Sequence, residues 1–484
     1  MQRLLYEKQL RLQRMEIRLV EALFQHPGTV DRRTEHELRY ALSFAQLGTF
    51  QPGAAAQGRR NHRPDVELRD VELTRFRNLV LEHFSPLLLS RRSARDRLEK
   101  TVSALGRIRR ALHEARSAVI RNHANEFSAQ ELDLEVGKKT LVSVAGGGGG
   151  AGYVYVGAWD VLQQAGLTPG YVLGSSIGAV LGLFRCLRKQ ADWDDYMAFA
   201  KHLKFEEVLR VMSFRARYGL PGIFRLFLHG AIGSVFKLDR RNMRLNDLEI
   251  PFECVVGGIR RGALGETPDE YGRSHHLPED QKLSPFALRA QIASQLVRMV
   301  GFFNPILVRE IVIGGDALTR EFDCVDAAGF SAAVPGVLHY DVTRDDARMH
   351  GILGQLLARE DVVALIDGGV ANNVPANTAF RRVQEGVVGT RNCFYLCFDS
   401  LRPQTRISHL WFSPLAQIVA LQVALHQRYM HRHIRFKPTL SVINVLPNVS
   451  QMAQAVLWGR EQMAEELPFV QKFFEPVIFM GGAV

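Results

Sequence analysis

The chain has 484 residues, 46% of them hydrophobic, which is ample for a large buried core and for more than one domain. Lys and Arg number 61 against 50 Asp and Glu, a formal charge of +11; residues 1–136 hold 24 basic and 18 acidic residues, roughly half of that excess. Such a surface attracts polyanions, but acidic residues are interspersed throughout, so a mixed-charge, solvated helical surface is expected and nucleic-acid binding is not.

Leu4, Leu5, Leu10, Met15, Ile17, Leu19, Val20 and Leu23 recur at helical spacing with Arg and Glu between them, which predicts an amphipathic helix that ends at His26-Pro27-Gly28. Residues 51–65 read as a loop, and 66–126 return to a helical pattern dense in arginine. Residues 1–136 are therefore expected to be a helical N-terminal region. A basic amphipathic helix lies on a membrane, binds a partner, or packs on its own domain; the last is expected here.

At Lys138 the texture changes. Residues 140–145 read as a buried strand, five glycines follow, and then come a helix over 153–166, a strand at 171–173 and a helix over 179–187. Strand, tight turn and helix, repeated, predict an α/β fold: a three-layer sandwich with a mostly parallel sheet and helices on both faces, over residues 137–400. Later strands are expected at 252–256, 363–366 and 393–398, helical excursions at 194–250 and 284–312, and a helical C-terminal region over 401–484 that packs on the central domain.

Cys186, Cys254, Cys324, Cys393 and Cys397 are odd in number and irregular in spacing, with no paired Cys/His cluster, so buried free thiols are expected rather than disulfides or zinc. The opening segment has charges every few residues, unlike a secretory signal, and no window offers about 20 uninterrupted apolar residues. A cytoplasmic protein is the expectation, and any contact with a membrane would be peripheral.

Three motifs carry chemistry. Gly174-Ser175-Ser176-Ile177-Gly178 is a G-x-S-x-G pattern between a strand and a helix. A serine there sits on a strained turn, its hydroxyl lifted out at the helix N-terminus, and its neighbours must be small. The second motif is the run Gly146 to Gly150, then Ala151-Gly152. A nucleotide-binding Walker loop needs Lys and Ser/Thr after the last glycine, and Tyr153 stands there. A dinucleotide loop needs an acidic residue ending the next strand, where the serine motif stands instead. An oxyanion hole fits, with amides of Gly147, Gly148, Gly149 and Gly150 aimed at an acyl oxygen on Ser176. The third motif is Asp367-Gly368-Gly369, an aspartate leaving an apolar strand into a tight turn; taken alone it reads equally as a turn cap.

In this order, the Gly-rich loop, G-x-S-x-G and D-G-G-x-x-x-N-x-P (Asp367 to Asn373 and Pro375) resemble the patatin-like phospholipases. The resemblance covers roughly residues 138–400 and extends to Gly157-Ala158-Trp159-Asp160, to the strand around Cys254 and to the segment Ser331 to Leu338. It implies a Ser–Asp dyad without histidine. Ser176 is the nucleophile and Asp367 the base, with Gly152, Gly174, Gly178, Gly368 and Gly369 supporting the motifs, and a fatty-acyl ester of a lipid is cleaved through an acyl-enzyme. It also implies no metal and no cofactor. This chain departs from the family at Ala151, where an Arg or Lys often stands before the loop's last glycine, a departure that would also suit a silent lipid- or protein-binding module. Residues 284–312, or 208–238 with Phe214, Phe224, Phe227 and Phe236, suit a lid or acyl-chain wall, with ordinary core helices as the alternative reading. A Ser-His-Asp triad would need a histidine after the acid. His426, His431 and His433 read instead as part of a basic, solvated helix face, and His409 stands apart. The lipid class, and whether an unidentified protein activator acts on the N-terminal region, are left open.

Overall fold

A computed structural model describes residues 2–57, 63–211, 216–263, 294–295, 299–401 and 413–481. Its centre is a seven-stranded sheet: β1 (Thr140–Ala145), β2 (Tyr171–Ser175), β3 (Phe252–Arg260), β4 (Val308–Ile313), β5 (Val362–Ile366), β6 (Cys393–Asp399) and β7 (Arg432–Arg435). The order is β4-β3-β2-β1-β6-β7, and β5 also pairs with β3. Strands β3, β2, β1, β6 and β7 run parallel, while β4 and β5 are antiparallel to β3. The near-continuous apolar runs of β1, β2 and β6 follow from this, because strands covered on both faces have no solvent side to alternate toward.

One feature of the pairing positions the site. β2 lies along the first half of β3, with Ser175 opposite Val255. β5 lies along the second half of the same edge, running the other way, with Ile366 opposite Gly257. The two strands point at each other, and their next residues, Ser176 and Asp367, meet over Val256.

Several expectations are corrected. Residues 308–313 are a strand, not part of a helical excursion: Val308, Ile311 and Ile313 are buried and Arg309 exposed on the antiparallel edge. Within 194–250, Leu209–Val211 and Gly222–Leu226 form a small sheet with Gly336–His339. In the C-terminal region, 432–435 is the edge strand β7, because Ile434 and Phe436 alternate inward with period two. His431 is buried and His433 sits on that strand, so the solvated helix face expected for them is not formed.

The N-terminal helices α1 (Gln2–Gln25), α2 (Arg32–Gln46), α3 (Val71–Leu88), α4 (Ala94–Asn122) and α5 (Ala129–Gly137) enclose an apolar cluster of their own, including Leu19, Phe44, Phe76 and Ile108. Asp31, Ser93 and Ser128 cap α2, α4 and α5, each side chain accepting from a backbone N–H three residues on. Helices α6 (Val154–Gln164) and α7 (Ile177–Leu187) follow β1 and β2. The remaining labelled helices are α8 (Gly368–Asn372), α9 (Ser413–His426) and α10 (Val449–Phe474). All five cysteines are buried and free. No helix among the described residues is long and apolar enough to cross a membrane.

Candidate active site

Ser176 stands between β2 and α7 with φ 53° and ψ −124°, a conformation that side-chain-bearing residues adopt only under constraint. The constraint is local. The Ser176 N–H donates to Ser331 Oγ at 3.0 Å, and Ser331 Oγ–H donates to the Val255 carbonyl at 2.6 Å. Behind the turn, Gly178 passes the end of β1 so closely that a Cβ would lie 2.6 Å from the Ala145 carbonyl carbon. No side chain fits there, which is why this position of the motif is glycine. Gly174, on the other side, lies against Ala179. Ser176 is 8% exposed, and its hydroxyl opens into a cavity rather than bulk water.

Asp367 ends β5 and caps α8: its Oδ1 accepts the Gly369 N–H at 2.7 Å, and its own N–H donates to the Ala333 carbonyl at 2.8 Å. Oδ2 is buried, and among the described residues no donor meets it in hydrogen-bond geometry. Burial raises the Asp367 pKa to about 7, against smaller downward effects of the Ser176 hydroxyl and the Gly369 N–H. The carboxyl group is thus poised near neutrality with one oxygen uncommitted beside a serine. Gly368 lies against Val255 and Ser175, and a Cβ on Gly369 would stand 2.8 Å from Asp367 Oδ1.

The Gly-rich loop lies on the other side of Ser176; a Cβ on Gly147 would be 3.1 Å from Ser176 Cβ. Its four amides divide. Gly147 N–H donates to Asn373 O at 3.2 Å and Gly150 N–H to Val442 O at 3.2 Å, so both are committed. Among the described residues no acceptor faces the amides of Gly148 and Gly149, which line the same cavity as Ser176. Gly152 lies against Ile177. Ala151, fully buried, leaves the loop without a basic anchor, and the C-terminal segment supplies another: Val442 O holds Gly150, and Tyr153 Oη donates to Val445 O at 3.3 Å.

The cavity measures about 670 Å³ and reaches from Gly148, Ser176 and Asp367 along apolar side chains that include Leu181, Phe184, Met197, Phe224 and Phe303. Phe224 and the residues Leu226, Leu228 and Ile232 belong to the 208–238 stretch expected to form an acyl-chain wall. Phe214 lies outside the described residues, and Phe236 packs on Phe184. Of 284–312, Phe303 lines the cavity, while 284–293 and 296–298 lie outside the described residues.

The histidines sit elsewhere. His426 Nδ1 faces Asn372 Oδ1 at 3.2 Å, His431 Nδ1 accepts the Tyr395 N–H at 3.2 Å, and His433 Nε2 pairs with Asp399 at 3.2 Å. His409 lies outside the described residues. His229, Asp323 and Asp326 converge as three metal ligands would, but Arg344 donates to both aspartates and Arg348 to Asp323, so the negative charge is already matched. Gln422, which braces the turn after Asp367 together with Asn373, carried no signal in the sequence, and Ser331, which holds the elbow, stood there only as the start of a family-like segment. Asn373 was visible only as part of the D-G-G-x-x-x-N-x-P string.

A mixed, mostly parallel sheet whose strand ends gather a strained serine, a buried aspartate and a glycine loop at one apolar cavity makes this an α/β protein. Residues 143–380 match the model of the patatin-like phospholipases, and this segment is a domain of that family, with which lipid acyl hydrolysis is associated. No curated protein matches the chain.

Proposed function

We propose that the protein hydrolyses fatty-acyl esters of lipids, as a phospholipase A or lysophospholipase, through a Ser176–Asp367 dyad. The observation that carries this is the uncommitted, buried Oδ2 of a carboxyl group with pKa near 7, beside a strained serine at the mouth of an apolar cavity. The Ser176 hydroxyl proton passes to Asp367 as Oγ bonds to the ester carbon. The amides of Gly148 and Gly149 receive the oxyanion, and those of Gly147 and Gly150 hold the loop in shape. Collapse expels the alcohol or lysolipid, which takes the proton from Asp367. Water then attacks the acyl-enzyme, gives its proton to Asp367, and the second collapse releases the fatty acid and restores the Ser176 hydroxyl. No step calls for histidine, metal or cofactor.

The substrate is reached from a lipid surface. α9 lines the cavity with Leu415 and Val419 and exposes Leu421 (65%) and Leu425 (68%), and Ile306 (75%) follows the cavity-lining Phe303. Large apolar side chains this exposed at a lipid-shaped cavity suit an acyl-chain interface, and the excess positive charge suits anionic headgroups. Hydrolysis of a p-nitrophenyl ester and of mixed phospholipid vesicles tests both parts. Ser176→Ala and Asp367→Asn are expected to be folded and inactive on both substrates. Leu421→Asp with Leu425→Asp should weaken vesicle hydrolysis while sparing the soluble ester. Wild-type protein inert on both substrates and unreactive with a fluorophosphonate would instead make this a lipid-binding module.

A further inference from the structure

We propose that Gln422, outside the family-matched segment, is a positioning residue that fixes the base and the oxyanion loop relative to each other. The inference rests on the dyad reading above. Gln422 is partly buried on the inward side of α9, between the buried Val419 and Val423. Its Nε2 donates to Val370 O at 3.3 Å and to Ala371 O at 2.9 Å, and its Oε1 accepts the Asn373 N–H at 2.7 Å. Two carbonyls on one side and an N–H on the other fix the orientation of the amide, because the flipped arrangement would oppose like groups.

What this holds is α8, the single turn that Asp367 caps. Five residues beginning with two glycines cannot hold a helical turn by themselves, and the carbonyls at its end need partners. Gln422 supplies them. The brace continues past α8: Asn373, whose N–H it binds, accepts the Gly147 N–H through its own carbonyl. One side chain therefore ties the turn carrying the base to the first glycine beside the oxyanion amides. One helical turn further along α9, His426 contacts Asn372 and seats the same element. The C-terminal region, which also grips Gly150 through Val442, thereby completes an active site whose chemical groups all lie within residues 143–380.

The test is steady-state hydrolysis of a soluble p-nitrophenyl ester by the full chain over a range of pH. Gln422→Met removes the polar atoms at similar volume. It is expected to lower kcat about 10- to 100-fold with KM within about 2-fold, as displacement of reacting groups by roughly 1 Å does. The low-pH limb should also move to lower pH, as water reaches the loosened Asp367. Gln422→Glu can still accept from Asn373 but cannot donate to the two carbonyls, and should be intermediate. Gln417→Met, on the exposed side of α9, is the control and should match wild type. A Gln422→Met enzyme with wild-type kcat and an unmoved limb overturns the proposal. If that variant shows no cooperative melt, Gln422→Glu decides: reduced kcat at wild-type KM upholds the inference, and wild-type kcat sinks it. Ser176→Ala separates the two readings. Its retention of full activity defeats the dyad, whereas a dead Ser176→Ala beside a fully active Gln422→Met defeats this inference alone.

Discussion

In the proposed dyad, Asp367 sets function against stability at a single side chain. Burial raises its pKa to about 7, so the folded protein prefers the neutral acid where the unfolded chain, at about 3.8, would be ionised. The favourable contribution is complete below pH 3.8 and is lost as pH rises through about 7. The loss has a ceiling of about 4 kcal/mol by linkage. Two outcomes follow. If Asp367 is the base proposed above, ester hydrolysis should rise with pH through a limb near 7, since in that mechanism only the ionised carboxyl accepts the Ser176 proton. Asp367→Asn should abolish hydrolysis yet melt higher than wild type at pH 8, with the gain shrinking toward pH 5; thermal melts at the two pH values check this, and equal melting at both would show that the buried charge costs nothing. Ser331 is the complementary case. Ser331→Ala strands the Ser176 N–H and the Val255 carbonyl, a loss of about 1–3 kcal/mol in stability, and frees the elbow to relax. The expected result is a lower denaturation midpoint together with a reduced kcat.

At the level of elements, legibility followed burial. β1, β2, β5 and β6 were readable because strands covered on both faces are unbroken apolar runs, and the serine elbow was readable because Gly174 and Gly178 frame it. β4 was not, because Arg309 and Glu310 inside Val308–Ile313 give an edge strand the look of an amphipathic helix. β7 was hidden for the same reason, by Arg432, His433 and Arg435 around Ile434. The head-on meeting of β2 and β5 along β3 was beyond reach of the sequence, since it depends on two strands nearly 200 residues apart sharing one edge. The Gly-rich loop stands out in the sequence, but which of its amides are free depends on Asn373 and Val442 from distant segments. The crossing of α7 over the end of β1 gives a prediction at this scale. Gly178→Ala would place a methyl group against the Ala145 carbonyl, and backbone on both sides cannot yield cheaply. Stability should fall by about 1–3 kcal/mol, as overpacking does, with slower acylation of Ser176 in single-turnover assays. Unchanged acylation would mean the elbow has slack that the close approach denies.

The whole molecule joins a helical N-terminal bundle, with an apolar cluster of its own, to the α/β body through polar links as well as apolar ones. Lys139, just before β1, reaches Glu16 on α1 at 3.0 Å and Asn392 before β6 at 2.7 Å, and Gln46 donates to the same Glu16 at 3.0 Å. From α2, Arg39 donates to the carbonyls of Phe473 and Glu475 at 3.2 Å each. Both members of the Lys139–Glu16 pair are nearly sealed from solvent, so the pair adds little net stability over an apolar contact, but losing one partner strands the other. Lys139→Met should therefore cost about 3–5 kcal/mol, and adding Glu16→Gln should recover much of it, because the neutral amide no longer buries an unmatched charge. If these links make the bundle and the body cooperative, wild type unfolds in one step and Lys139→Met separates an early loss of the bundle from the later unfolding of the sheet, visible as far-UV and tryptophan signals that no longer coincide. A single coincident transition in Lys139→Met at wild-type midpoint would mean that the apolar contacts alone, such as Leu10 and Val20 in the main core, hold the two parts together.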